Sequence, residues 1–248
     1  MPPLLSVIVC AYNEMGRIQP ALDELLASMN GRSEDTEIIV LDNASTDGTG
    51  EWLQTFRHPS VTVALNGQNL GKGGSIQKGI RLSRGRWVVI HDPDLEYRAQ
   101  DIWGLLEQAR RTGASLVLGS RVLGGEVRYK YLQNYIGVCV LTWIIRALYG
   151  CRITDAATAM KMMDGELARR LRLESRGFDL DFELITRIVR LGGSVQEVPI
   201  DYQPRTKEEG KKIRAWRDGL LALRPILRDR LRPRSSFVRP GPPAGEDA

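Results

Sequence analysis

Short runs of large apolar residues alternate along the chain with stretches whose apolar positions recur at helical spacing. Leu5-Ser6-Val7-Ile8-Val9-Cys10-Ala11 is apolar and β-branched and predicts a first central strand. From about Gly16 to Met29, the residues Ile18, Leu22, Leu25 and Leu26 share one helical face. Glu37–Leu41 predicts a second strand, and Asp42-Asn43-Ala44-Ser45-Thr46-Asp47-Gly48-Thr49 is turn chemistry followed by a helix start. Val61–Leu65 reads as a third, weaker strand, and Gly71-Lys72-Gly73-Gly74-Ser75 opens a helix to about Ser83. Trp87-Val88-Val89-Ile90 is a buried-strand pattern, followed by a helix around Ile102–Arg111 and a strand at Ser115–Leu118, closed by Gly119-Ser120-Arg121. This alternation predicts an α/β fold, a mostly parallel central sheet with helices on both faces.

The second half is less regular. Residues 129–149 are apolar and aromatic, Met160–Met163 and Val195–Ile200 suit short strands, and Asp181–Leu191 suits a helix. Between Lys207 and Leu231, Ile213, Trp216, Leu220, Leu223, Leu227 and Leu231 recur at helical spacing, which predicts a basic amphipathic helix or helix pair kinked at Pro225. From Pro233 the chain is rich in Pro, Gly and Ser, and disorder is expected over 233–248. The expected organisation is one domain over 1–232 and a tail.

Composition narrows this only slightly. With 42% hydrophobic and 26% charged residues in 248, the chain is an ordinary globular protein. Cys10, Cys139 and Cys151 have neither metal-ligand spacing nor an even count, which favours a reducing compartment. The apolar run Ile136–Ile145 is about half the ~20 residues needed to cross a bilayer, and the N-terminus lacks signal-peptide features. A cytosolic protein, or one touching a membrane from the cytosolic side, is expected. The net charge of +5 is uneven: Arg205–Arg234 holds eleven Lys or Arg against four Asp or Glu, so that segment is +7 and the rest −2. Partners of that region should be anionic.

The chemistry gathers where the predicted strands end, which is where open α/β sheets bind ligands. Asp92-Pro93-Asp94 follows the fourth strand. Two carboxylates so spaced suit one hard cation, Mg²⁺ or Mn²⁺, whose shell phosphate oxygens and water would complete; the same acids would equally suit a helix start. A Rossmann fingerprint fails, because Ala11-Tyr12-Asn13-Glu14-Met15-Gly16 stands after the first strand. A Walker loop fails too, because Gly67-Gln68-Asn69-Leu70-Gly71-Lys72-Gly73 has the wrong spacing and no following Ser or Thr. What remains is Tyr12-Asn13-Glu14, Asp42 with Asp47, Gly71-Lys72-Gly73, Asp92 with Asp94, and Arg121. Acids can accept hydrogen bonds from a base or ribose, Lys72 and Arg121 can meet phosphate charge, and the Asp pair can hold the metal. The set suits a nucleoside diphosphate laid across the sheet edge. Asp42 and Asp47 also suit turn and cap roles, and the glycines a flexible helix start.

Taken in order, these motifs resemble the family 2 glycosyltransferases of GT-A fold, and most of all their dolichyl-phosphate mannose or glucose synthase branch. The resemblance spans roughly 5–225 and adds Asp155 with Thr158 and Lys161, Gly177-Phe178 with Glu183, Glu197-Val198-Pro199-Ile200-Asp201-Tyr202 and Arg205 with Lys211-Lys212-Ile213. It implies a Rossmann-like GT-A sheet with C-terminal amphipathic helices. It implies that Ala11, Tyr12, Glu14 and Asp42 line a nucleoside pocket, and that Asp92, Asp94 and Glu96 carry the metal and donor diphosphate. Pro93 departs from the alanine usual between the aspartates.

The resemblance further implies an inverting transfer of a sugar from a UDP- or GDP-linked donor. A polyprenyl-phosphate acceptor is already anionic and needs cations, for which Arg121, Arg128, Arg205 and Lys211 are candidates. A hydroxyl acceptor needs a base, and Asp181 or Glu183 would supply it, although both also suit a helix N-terminus. His91 abuts the acids but should alternate away from Asp92 on a strand; His58 is the other histidine. Aromatic residues in 129–150 and the basic amphipathic stripe in 207–231 suit a membrane interface, or simply packing on the core. A nucleic-acid partner is the remote alternative, and the basic region shows no recognised module for it.

Overall fold

The computed structural model describes residues 2–29, 35–124, 132–205 and 215–239, the last with side chains from Gly219 onward. Arg128, Lys211, the aromatics Tyr129 and Tyr131, the start of the basic stripe and the tail from 240 lie outside them. The chain forms β1 (Leu5–Ala11), α1 (Ile18–Ser28), β2 (Thr36–Asp42), α2 (Thr49–Thr55), β3 (Val61–Leu65), α3 (Gly71–Leu82), β4 (Trp87–Ile90), α4 (Asp101–Thr112) and β5 (Leu116–Ser120). It continues with α5 (Leu132–Tyr149), β6 (Lys161–Asp164), α6 (Gly165–Arg170), α7 (Leu180–Arg190), β7 (Val195–Pro199), α8 (Ala215–Leu231) and a 3-10 turn at Arg234–Phe237.

The seven strands form one sheet in the order β3-β2-β1-β4-β6-β5-β7. Neighbours are parallel except β6, which runs antiparallel to β4 and β5. β1, β4 and β5 are almost wholly buried because helices cover both faces, and their near-continuous apolar runs follow from that. Separate apolar clusters fill the two sides, with α1 and α4 in one and α3 and α7 in the other. The reversal of β6 has a direct consequence for function. Its first residue, Lys161, pairs with Ile90 at the end of β4 and with Leu118 in β5. A lysine is thereby delivered to the carboxyl ends of the parallel strands.

Helix α8 runs through Pro225 as one element, the single helix of the two expected alternatives. One expectation changes. The tail is ordered through 239: Phe237 is fully buried, its carbonyl accepts from Arg172 N at 2.8 Å, and Arg239 N donates to Arg170 O. One aromatic anchor outweighs the disorder-prone composition around it. The Arg187 guanidinium lies over the Phe237 ring at 5.3 Å and reaches Glu183 at 2.6 Å and Asp229 at 3.1 Å, so charges buried between α7 and α8 are paired rather than isolated.

Candidate active site

The loops after β1, β2 and β4 meet at one edge of the sheet. Each contains a non-glycine residue in the left-handed region, Asn13 (φ 54°), Ala44 (φ 60°) and Leu95 (φ 60°). Each costs roughly 1–2 kcal/mol, and such strain gathers where a site must be held in shape.

The first two loops are laced together. Asp47 accepts from Met15 N at 3.0 Å and from Thr49 N and Oγ1 at 3.0 and 2.5 Å, so both its oxygens fasten backbone. Those hydrogen bonds hold its carboxyl below the usual range even though burial works the other way. Asp47 does not reach the cavity wall, and of its two sequence readings the turn role is the one observed. Asp42 is buried; Oδ2 accepts from Ser45 N at 3.2 Å, and Oδ1 has no hydrogen-bond partner among the described residues. Asn43 donates to Asn69 Oδ1 at 2.9 Å and accepts from Leu70 N at 2.8 Å. Both asparagines line the cavity beside Ala11, Tyr12 and Glu14.

The glycine loop is explained by packing. Gly73 N donates to Arg176 O at 2.8 Å, and Gly71 N to Asn69 Oδ1 at 2.8 Å. A Cβ on Gly71 would fall 2.2 Å from Arg176 O, and one on Gly73 2.6 Å from Ser175 O. The glycines therefore let the segment before α7 press against the start of α3. Those amides are spent on protein, and Gly71 and Lys72 are the parts of the motif that line the cavity, Lys72 bringing the charge.

Lys72 Nζ lies 2.6 Å from Asp92 Oδ2 and 5.3 Å from the centre of the Phe178 ring. Burial disfavours its charge, but Asp92 and Asp181 outweigh burial and raise its pKa above the ordinary lysine value. Asp94 accepts from Arg205 Nη2 at 2.8 Å and from Glu96 N at 3.0 Å. Burial first, then the charges of Asp92 and Glu96, push its carboxyl up to about 7. Glu96 accepts from Tyr202 OH at 2.8 Å through Oε2 and from Arg205 N at 2.9 Å through Oε1. The Tyr202 ring in turn packs against Tyr97, tilted by 44° with centroids 5.2 Å apart, and the two residues bridge in the backbone. Glu96 thus anchors the 202–205 segment, a correction to its expected place as a third metal ligand. Among the described residues no group of three His, Cys, Asp or Glu could hold an ion by itself. Asp92 and Asp94 still fit a cation, because Mg²⁺ needs only one or two carboxylates when phosphate oxygens supply the rest. His91 is buried, lines no part of the cavity and leaves Nδ1 without a hydrogen bond, as a packed strand-end residue would.

The expected acceptor side divides. Arg121 lines the cavity, and Asp155 clamps it by two contacts of 2.6 and 2.7 Å. Although burial opposes ionisation, Arg121 holds the Asp155 carboxyl below its usual range. Glu197 fixes the Asp155 loop by accepting from Thr154 N at 2.7 Å and Asp155 N at 3.1 Å. Asp181 lines the cavity and takes a 3.0 Å contact from the fully buried Lys161, whose pKa burial lowers despite that partner. Glu183 is not in the cavity. It is fully buried, receives Ser175 N at 2.8 Å and Glu174 N at 3.0 Å, and pairs with Arg187 and Arg228. Its candidacy as a base is overturned. Sequence reasoning assigned no role to Asp155, Lys161, Tyr97 or Tyr202. Each except Tyr97 stands in a stretch already singled out after residue 150, yet the partner of each lies far away in sequence.

All this opens into one cavity of about 630 Å³. Its charged wall carries Lys72, Asp92, Asp94, Arg121, Asp181 and Arg205. Its other arm is apolar and runs between α5 and α8 past Val138, Leu141, Ile144 and Leu223.

The chain is similar to known proteins in sequence and in fold. Residues 6–171 match the family described as Glycosyl transferase family 2. An undecaprenyl-phosphate mannosyltransferase of Micrococcus luteus is 31% identical over 82% of this chain and 85% of that protein. A dolichyl-phosphate beta-glucosyltransferase of Dictyostelium discoideum is 27% identical over 92% of this chain and 74% of that protein. Among solved structures, glucosyl-3-phosphoglycerate synthase of Mycobacterium tuberculosis, in complex with Mn²⁺, UDP and glucosyl-3-phosphoglycerate, superposes with a TM-score of 0.67 at 19% identity, covering 92% of this chain and 80% of that one. The fold is therefore GT-A, and the chain belongs to glycosyl transferase family 2 and is a glycosyltransferase.

Proposed function

We propose that this enzyme moves a sugar, with inversion, from a UDP- or GDP-linked donor to a polyprenyl phosphate, with Mg²⁺ or Mn²⁺, at the cytoplasmic face of a membrane. The observation that carries this reading is the continuity of the cavity, which joins a charged wall to an apolar arm. A phosphate on a long hydrocarbon chain has that same division. The names of the relatives from Micrococcus luteus and Dictyostelium discoideum support it.

In this reading Ala11, Tyr12 and Glu14 take the nucleoside at the cavity wall, and Asp42, buried and outside that wall, braces the loop by accepting from Ser45 N. Asp92 and Asp94 would hold the divalent cation, which would act as a Lewis acid on the leaving diphosphate. An acceptor phosphate oxygen forms the new bond to the anomeric carbon, and the old bond to the β-phosphate oxygen breaks with its electron pair on the diphosphate. Lys72, already placed beside Asp92, offsets the charge that develops there. Arg121 and Arg205 receive the acceptor phosphate, and the Asp155 clamp and the Glu96 anchor hold them in position. No proton has to be removed from a phosphate, so this route needs no base.

The membrane side rests on exposed apolar residues of the same two helices. Leu132 is 71% exposed, Trp143 68%, Leu220 61% and Leu231 86%, an unusual concentration for water-facing helices. No helix among the described residues is long and apolar enough to cross a membrane, so contact would be peripheral. One observation favours a second reading, transfer to a soluble hydroxyl: Asp181 stands in the wall where a base could act. Calorimetric titration with UDP and with GDP, each with and without Mn²⁺, tests the donor half. Cation-dependent binding of one nucleotide is expected; binding of neither would overturn the reading.

A further inference from the structure

We infer that Gly137 of α5 and Gly219 of α8 set the bore of the apolar arm and so select acceptors by the width of the chain carried on the phosphate. The inference rests on the acceptor reading above. Glycine inside a helix weakens it relative to alanine, because the unfolded chain has more freedom to lose. Most such residues here have a compensating reason. Gly71 has φ +75°, and a Cβ on Gly79 would lie 2.6 Å from Ile8 and 2.9 Å from Leu41. Gly137 and Gly219 have neither reason: φ is not in the left-handed region, and a Cβ on either meets no atom of the described residues within 4 Å. Gly104 in α4 shares that freedom but does not line this cavity.

What Gly137 and Gly219 share is the wall of the arm. The two helices are tied further along by Tyr149 OH donating to Ile226 O at 2.5 Å. A side chain at either glycine would therefore project into the arm, between helices held in place, rather than pack on protein. Their neighbours in the wall, Val138, Leu141, Leu220 and Leu223, are apolar, so the space suits hydrocarbon. Two glycines kept at a cost to their helices leave it wide enough for a chain with methyl branches.

The test uses Gly137→Leu and Gly219→Leu, with Gly137→Ala and Gly219→Ala as fold controls. The alanine variants should melt at or above the wild-type temperature. The leucine variants should keep nucleotide affinity, read by calorimetry, while the ratio of kcat/KM for a polyprenyl phosphate to that for an unbranched alkyl phosphate falls about tenfold, the scale of an overpacked site. An unchanged ratio, with wild-type enzyme still transferring to polyprenyl phosphate, would overturn the inference and leave the acceptor reading standing. Loss of nucleotide binding in the leucine variants would also overturn it. Wild-type transfer only to water-soluble acceptors would remove the acceptor reading itself, and the inference with it.

Discussion

Arg205 Nη2 lies 2.8 Å from Asp94 Oδ2, a contact across 111 residues, and the same side chain reaches Glu96 at 3.3 Å and Glu14 at 3.9 Å. The arginine is thus the standing counter-charge of the acids at the end of β4. Arg205→Met should leave those acids short of a cation and tighten Mn²⁺ binding by nucleotide-free protein about tenfold or more, while turnover falls. Calorimetry with Mn²⁺ alone checks the first effect. Weaker Mn²⁺ binding would show that Arg205 supports the ion rather than competing with it.

Gly73 separates two explanations of its motif. With Ser175 O 2.6 Å from an added Cβ, Gly73→Ala should destabilise the fold by about 1–3 kcal/mol. A denaturant titration measures this. Unchanged stability with weakened nucleotide binding would return the loop to a phosphate-binding role.

Asp181 and Glu183 make a second pair of contrasting tests. Glu183→Gln weakens the pairing of fully buried Arg187, and a loss of about 3 kcal/mol is expected, with turnover per folded molecule retained. Asp181→Asn should instead change turnover, since its carboxylate stands in the cavity wall beside Lys72. Thermal melts alongside assays at fixed folded concentration separate the two.

Asp155 should control acid stability. Its folded pKa lies below the ordinary aspartate range, burial opposing this and Arg121 outweighing it. Its contribution is therefore complete above the unfolded value and is lost as pH falls through the lower folded one. Asp155→Asn should lower stability at neutral pH and flatten the acid limb below about pH 4. Unfolding midpoints measured across acid pH check both effects.

Much of the fold was legible because strands buried on two faces must be continuously apolar. Leu5–Ala11 and Trp87–Ile90 were read with the bounds observed, and so was Val61–Leu65, a half-exposed edge strand whose β-branched residues marked it instead. The reversal of β6 was not legible, because strand direction leaves no mark on hydrophobic pattern, and α6, only six residues long, was too short to show a period. The cavity wall was partly legible for a similar reason: residues just past each strand end can be listed from sequence, but not what they face. Glu96 looked like a ligand beside Asp94, and only the fold shows Tyr202 and Arg205 occupying it. The error over Glu183 was avoidable. Residues two apart on an α-helix are turned by about 200°, so Asp181 and Glu183 could not both face the same cavity.

Transfer to a lipid phosphate is the centre of this account, and a two-phase assay tests it most directly. The enzyme is incubated with labelled nucleotide sugar, Mn²⁺ and polyprenyl phosphate, and the label is followed into organic and aqueous phases. The account predicts label in the organic phase that is lost with chelator and with Asp94→Ala. Label confined to the aqueous phase, or organic-phase label that survives both treatments, would contradict it.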